Sequence, residues 1–221
     1  MAKLYGIGVG PGDKELLTIK AVKAISECDI IVAPVAVEGA ESVALEIAKD
    51  YIKDNCEVVL KHFPMGKKDR VIKAKEAYEY IRSEIEKGRT VGFLTIGDPY
   101  VYSTYIHMLK HMKESGIEVS TIPGVTSFCA AASLVNRTLV IGNEPLLILP
   151  AARVTDIKDE KYVVIMKVYK REEEVVNFLE EKGFDYVCVH KVGREGERIL
   201  ENKEDIINSR EYMSLIIASR D

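Results

Sequence analysis

The chain is poor in the residues that build metal centres and covalent staples. Its four cysteines, Cys28, Cys56, Cys129 and Cys188, are scattered. None belongs to a C-x-x-C pair or has a histidine at zinc-finger spacing, so neither a disulfide framework nor a structural metal site is expected; the thiols read as small buried hydrophobes in a reducing compartment. Histidine is as sparse, with four residues. His107 and His111 stand one helical turn apart, but no acidic or cysteine partner shares their motif, and no metal ligand set is assigned. No apolar run approaches the roughly 20 residues that span a bilayer, and Met1-Ala2-Lys3-Leu4-Tyr5 leads directly into a strand pattern, so a cytoplasmic protein without a membrane partner is expected. Excess basic charge is missing too: the formal net charge is -4, which argues against a nucleic-acid partner. The patterns G-x-x-x-x-G-K-S/T, G-x-S-x-G and H-E-x-x-H do not occur, which removes the main support for P-loop phosphotransfer, esterase and zinc-hydrolase chemistry.

What is present is a chain of 221 residues, 47% hydrophobic and 30% charged, enough for one or two packed domains. The order of its periodic segments predicts an α/β fold. Leu4 to Val9 reads as a strand, Asp13 as the cap of a helix carrying Leu16, Leu17, Ile19, Ala21, Val22 and Ile25, and Asp29 to Val35 as a buried strand. A helix over 42–50, a strand at 58–60, an amphipathic helix over 71–87 and a strand over 91–96 continue the alternation, which implies a mostly parallel sheet covered on both faces. A helix over 101–115, a strand at 118–122 and a helix-like run over 125–135 follow. Strand-like runs at 146–149, 162–168, 186–190 and 212–218 make the second half richer in strand. The expected boundary lies at Pro123-Gly124, giving domains 1–122 and 123–221, each with one mixed sheet and flanking helices.

Two loops stand out, Gly8-Val9-Gly10-Pro11-Gly12-Asp13 and Gly97-Asp98-Pro99-Tyr100, each between a strand and a helix. A dinucleotide is the first ligand to test, because Gly6, Gly8 and Gly10 follow a strand. The fingerprint fails: its last glycine falls on Pro11, which has no amide donor, and Asp13 places negative charge where a pyrophosphate would sit. The second strand ends in Ala33-Pro34, with no acid to hold a ribose.

The two loops, together with Tyr102-Ser103-Thr104, Ile122-Pro123-Gly124-Val125-Thr126-Ser127 and Val164-Ile165-Met166-Lys167, resemble in order and spacing the tetrapyrrole methylases, S-adenosylmethionine enzymes that build corrinoids and sirohaem. The resemblance covers the whole chain. Phe63-Pro64-Met65 before a basic stretch, Tyr102-Ser103-Thr104 and the Pro123 to Phe128 run are most similar to the members that methylate carbon 20 of precorrin-2 or cobalt-precorrin-2. It implies a two-domain methyltransferase of cobalamin biosynthesis, usually a homodimer, with cofactor and macrocycle in a shared cleft. By the same resemblance, Ile96, Gly97, Asp98 and Val101 hold the methionine part of S-adenosylmethionine, with Ser103 and Thr104 beside it. Thr126 and Ser127 touch it from the next loop, and Met166 borders the adenosine. Gly10, Pro11 and Gly12 face the macrocycle.

Methyl transfer needs an in-line nucleophile about 3 Å from the methyl carbon. A reduced tetrapyrrole is already nucleophilic at its meso carbons, which leaves one proton to be removed; Asp98 and Asp13 are the candidate acceptors, each equally suited to shaping its own turn. Tyr100, Tyr102 and Tyr105 offer aromatic walls or core packing. The substrate carboxylates call for cations, with Lys67 and Arg153 placed first and Lys68, Arg70, Lys191, Arg194 and Arg198 behind them. A methylase of the same fold acting at another macrocycle position, on RNA or on protein, and a non-catalytic small-ligand binding protein, are the alternative readings.

Overall fold

The computed structural model describes residues 2–63 and 67–221, the side chains at 67–71, 110 and 113 excepted. The chain divides into two compact units, Met1–Thr126 and Ser127–Asp221.

The first unit holds strands β1 (Leu4–Gly8), β2 (Ile30–Val35), β3 (Glu57–His62), β4 (Val91–Thr95) and β5 (Val119–Ile122), alternating with helices α1 (Ile19–Glu27), α2 (Val43–Ala48), α3 (Lys67–Glu86) and α4 (Tyr105–Glu114). The strands pair in the order β3-β2-β4-β1-β5, every ladder parallel. Right-handed crossovers then fix the layers. The connections through α1 and α2 run toward β3, those through α3 and α4 toward β5, so the two helix pairs cover opposite faces. Side-chain alternation agrees: Tyr5, Ile7, Ile31 and Leu94 pack with α1 and α2, whereas Leu4, Ile30, Val32, Val91 and Phe93 pack with α3 and α4. Burial on both faces is why β1, β2 and β4 read as continuous apolar runs.

Gly6 belongs to the α4 face, and a Cβ there would lie 2.2 Å from Tyr105 Cζ. Its lack of a side chain makes room for the fully buried Tyr105 ring, not for a phosphate.

Two helix starts differ from the sequence expectation. Asp13 caps only the single 3-10 turn Lys14–Leu16, and α1 begins afresh behind Thr18, whose Oγ1 accepts from Ala21 N at 3.1 Å. The helix expected from residue 101 begins at Tyr105, because Tyr102 sits at φ 49° and Ser103 Oγ turns back to donate to Pro99 O.

The second unit contains α5 (Ser127–Leu134), β6 (Leu146–Pro150), β7 (Tyr162–Met166), α6 (Glu172–Glu181), β8 (Asp185–His190), β9 (Arg198–Leu200), α7 (Lys203–Ser209) and β10 (Ser214–Ser219). Its sheet is mixed, in the order β6-β7-β10-β8-β9: β6 and β7 are parallel and the other ladders antiparallel. Val163, Ile165, Cys188, Ile216 and Ala218 close one face against Val175, Val176 and Leu179 of α6 and Ile206 of α7. Helix α5 lies against β10. No helix among the described residues is long and apolar enough to cross a membrane.

Candidate functional site

In the first unit, β4, β1 and β5 are neighbours, and the loops leaving their carboxyl ends are the three glycine-containing motifs. Connections depart from β1 and β4 toward opposite edges of the sheet, the arrangement that opens a crevice at the strand ends.

The three loops are bonded to one another through their backbones. Gly10 and Gly97 form an isolated antiparallel bridge, with Gly97 N donating to Gly10 O at 2.7 Å and Gly10 N to Gly97 O at 3.3 Å. Both adopt positive φ, 77° and 69°, a conformation that only glycine reaches without penalty. At Gly124 a Cβ would stand 2.1 Å from Gly97 O, and at Gly8 one would stand 2.5 Å from Gly124 N. Main chain therefore lies directly on main chain.

Asp98 supplies the side-chain tie. Its Oδ2 accepts from Gly124 N at 3.1 Å and its Oδ1 from Tyr100 N at 2.8 Å. Both oxygens of this half-buried carboxylate are thus engaged, Oδ1 in shaping the β4 loop and Oδ2 in holding it to the β5 loop. Asp13 is different: it is exposed, and its Oδ1 accepts from Glu15 N at 2.8 Å in the cap described above. Within these loops Pro11 and Pro99 are buried, and Gly12, Ile96, Val101, Ser103 and Thr104 are half-buried.

Two hydroxyls lack partners. Thr95 Oγ1, at the end of β4, and Thr126 Oγ1, at the end of the third loop, are buried without a hydrogen bond among the described residues. A buried hydroxyl left unpaired is costly, and two of them beside a glycine-lined crevice fit a ligand that brings its own polar atoms. Sequence reasoning named Thr126 but missed Thr95, whose only signal was a polar residue closing an apolar strand.

Aromatic hydroxyls form a third group. Thr121 Oγ1 on β5 receives the Tyr100 hydroxyl at 3.1 Å and is bonded to the Tyr105 hydroxyl at 2.8 Å. Burial pushes the Tyr105 phenol up to about 12. Tyr105 is core, while Tyr100 and Tyr102 remain 56% and 43% exposed.

In the second unit, Met166 ends β7 half-buried, registered with Pro150 of β6 and Leu215 of β10. Ser127 opens α5. Arg153 lies in the 3-10 segment Ala151–Asp156 after β6, 69% exposed and ion-paired to Asp156. Lys191 is paired with Glu211 at 3.3 Å. Pro64 and Met65, and the side chains of Lys67, Lys68 and Arg70, lie outside the described residues. His107 and His111 are on α4, the latter against Tyr78 with ring centroids 5.5 Å apart, and no cluster of metal-ligating residues occurs among the described residues.

Residues 3–207 match the family Tetrapyrrole (Corrin/Porphyrin) Methylases. Among curated proteins, the chain is 37% identical over 225 residues to the probable cobalt-precorrin-2 C(20)-methyltransferase of Methanocaldococcus jannaschii, covering 99% of this chain and 96% of that one. It is 34% identical over 177 residues to the cobalt-precorrin-2 C(20)-methyltransferase of Salmonella typhimurium, covering 76% and 74%. Among solved structures, a cobalt precorrin-4 methyltransferase superposes with a TM-score of 0.78 at 20% identity, covering 98% of this chain and 94% of that one. A uroporphyrin-III C-methyltransferase from Thermus thermophilus, complexed with S-adenyl homocysteine, superposes with a TM-score of 0.75 at 18% identity, covering 99% and 98%.

Proposed function

Since the chain belongs to the tetrapyrrole methylases, we propose that it is a homodimeric S-adenosylmethionine-dependent methyltransferase of cobalamin biosynthesis that methylates carbon 20 of cobalt-precorrin-2. The observation that carries the reading is similarity along nearly the full length of a relative named for that reaction, joined to a loop cluster built for a small ligand. The cobalt is cargo of the substrate and requires no ligand set in the protein.

The residues present fit the cofactor. The crevice floor is bare main chain at Gly8 and Gly124, where a Cβ has no room beside the neighbouring loop, and at Gly97, whose positive φ calls for glycine, and the orphaned Thr126 hydroxyl offers a hydrogen bond. Ile96, Gly97, Asp98 and Val101 hold the methionine part, Ser103, Thr104, Thr126 and Ser127 flank it, and Met166 borders the adenosine. When bound, S-adenosylmethionine supplies an electrophilic methyl on a sulfonium.

Everything else asked of the chain is positioning and one proton. Asp98, with both oxygens committed to backbone amides, is a positioning residue that fixes the distance between two ligand-holding loops. Asp13 retains an exposed carboxylate oxygen beyond its capping bond, on the loop whose Gly10, Pro11 and Gly12 we assign to the macrocycle; it accepts the proton released when carbon 20 is methylated. Arg153 and Lys67 serve the substrate carboxylates, Arg153 by exchanging its exposed partner Asp156 for one of them, a swap between solvent-screened pairs that costs little.

The test is incubation of the purified protein with methyl-labelled S-adenosylmethionine and precorrin-2, with and without cobalt, followed by mass and carbon NMR analysis. One label at carbon 20, formed faster with cobalt present, is expected. Label at any other carbon, or none, overturns the assignment.

A further inference from the structure

Tyr100 combines two properties that rarely occur together: a large aromatic surface left in water and a side chain held at both ends. The residue is 56% exposed. Its backbone amide is fixed by Asp98 Oδ1, its hydroxyl by Thr121 Oγ1, and one edge by the buried Tyr105 ring at a centroid distance of 6.3 Å and an interplanar angle of 69°. Thr121 is itself braced by Tyr105, and Tyr105 by the space that Gly6 leaves. A surface tyrosine with no task would keep its rotamer freedom. This one has given it up without burying its face, which is the condition of a preorganised platform: a ligand that covers it gains the apolar contact without the entropic cost of ordering the side chain.

We infer that the exposed face of Tyr100 is the surface against which the conjugated macrocycle stacks, and that the Thr121–Tyr105 pair is its brace. The inference rests on the functional reading above and names a substrate contact for it. The conjugated portion of a reduced macrocycle offers a tyrosine face an extended apolar surface and the offset stacking it prefers. The position is suitable as well, because Tyr100 directly follows Asp98-Pro99 at the end of β4, beside the Gly10 loop to which β1 leads.

The full-length protein tests this through three variants. Tyr100→Ala is expected to raise the KM for cobalt-precorrin-2 about tenfold or more, with kcat and the calorimetric affinity for S-adenosylhomocysteine within about twofold. Tyr100→Phe removes the bonded hydroxyl and Thr121→Val removes its acceptor together with the bond to Tyr105, so each should raise KM about threefold or more, and the double variant should be no worse than Thr121→Val alone. The inference is overturned if Tyr100→Ala weakens S-adenosylhomocysteine instead, which would place the ring against the cofactor, or if it moves neither quantity. Should the wild type methylate no precorrin, the functional reading fails separately, and the platform is then tested by absorption titration with an octacarboxylate porphyrin. Tighter binding by the wild type than by Tyr100→Ala supports it; equal binding overturns it.

Discussion

At the scale of single residues, the two aspartates of the glycine loops have opposite duties despite near-identical sequence settings. Asp98 accepts two backbone amides from different loops, so Asp98→Asn places an amide NH2 against a peptide N–H. The expected result is a loss of about 1–3 kcal/mol in stability together with weakened S-adenosylhomocysteine binding, read by thermal melting and calorimetry. Asp13→Asn keeps a good helix-capping side chain but removes the proposed proton acceptor, so melting should be unchanged while kcat falls about a hundredfold. Equal effects of the two substitutions on both readouts would dissolve the distinction. The sequence could show that both aspartates sit in glycine loops after strands, yet not which was occupied, because the partner of Asp98 Oδ2 is Gly124, which follows a strand a whole helix later. Gly6 misleads for the same reason: it mimics a phosphate-binding glycine, and only the packed fold shows Tyr105 filling the space.

At the scale of elements, most strands were legible and two helix starts were not. A strand covered on both faces announces itself as an apolar run, as Ile30 to Val35 does. A helix start depends on which of several capping residues wins, and Asp13 and Thr18 compete only five positions apart. The geometry makes Thr18 the true cap of α1: Thr18→Ala should lower stability by about 1 kcal/mol, a fall of about 2–4 °C in melting temperature for a protein of this size, whereas the turn capped by Asp13 is too short to matter as much. The strand β9 escaped sequence reasoning altogether. It is three residues long, lies at the sheet edge and buries only Leu200, too little to leave a periodic signature.

At the scale of the whole molecule, pH acts on the second unit through His190. The residue is 2% exposed, its ring bonded through Nε2 to Ser209 Oγ at 3.3 Å, and burial holds it below the usual histidine range, with Arg198 and Lys191 acting in the same direction and Glu211 and Glu172 opposing. The folded state therefore binds this proton less readily than the unfolded chain, so stability is full above about pH 6.5 and declines as pH falls from there through the folded value. Glu211 contributes in a lower window: burial pushes its carboxyl up, but the Met213 amide and Lys191 prevail and hold it below its ordinary 4.5, so its share is lost only under stronger acid. Melting temperatures between pH 7 and 5 should fall for the wild type and lie flatter for His190→Gln; parallel curves would rule the histidine out. The Gly10–Gly97 bridge, finally, bears on the order in which the protein comes into being. It joins the β1 loop with one that follows three further strands, and Asp98 then waits for Gly124. A nascent chain that ends before β5 carries every glycine of the β1 loop but no Gly124 for Asp98 to hold, so the three-loop cluster is complete only when β5 takes its place at the edge of the sheet.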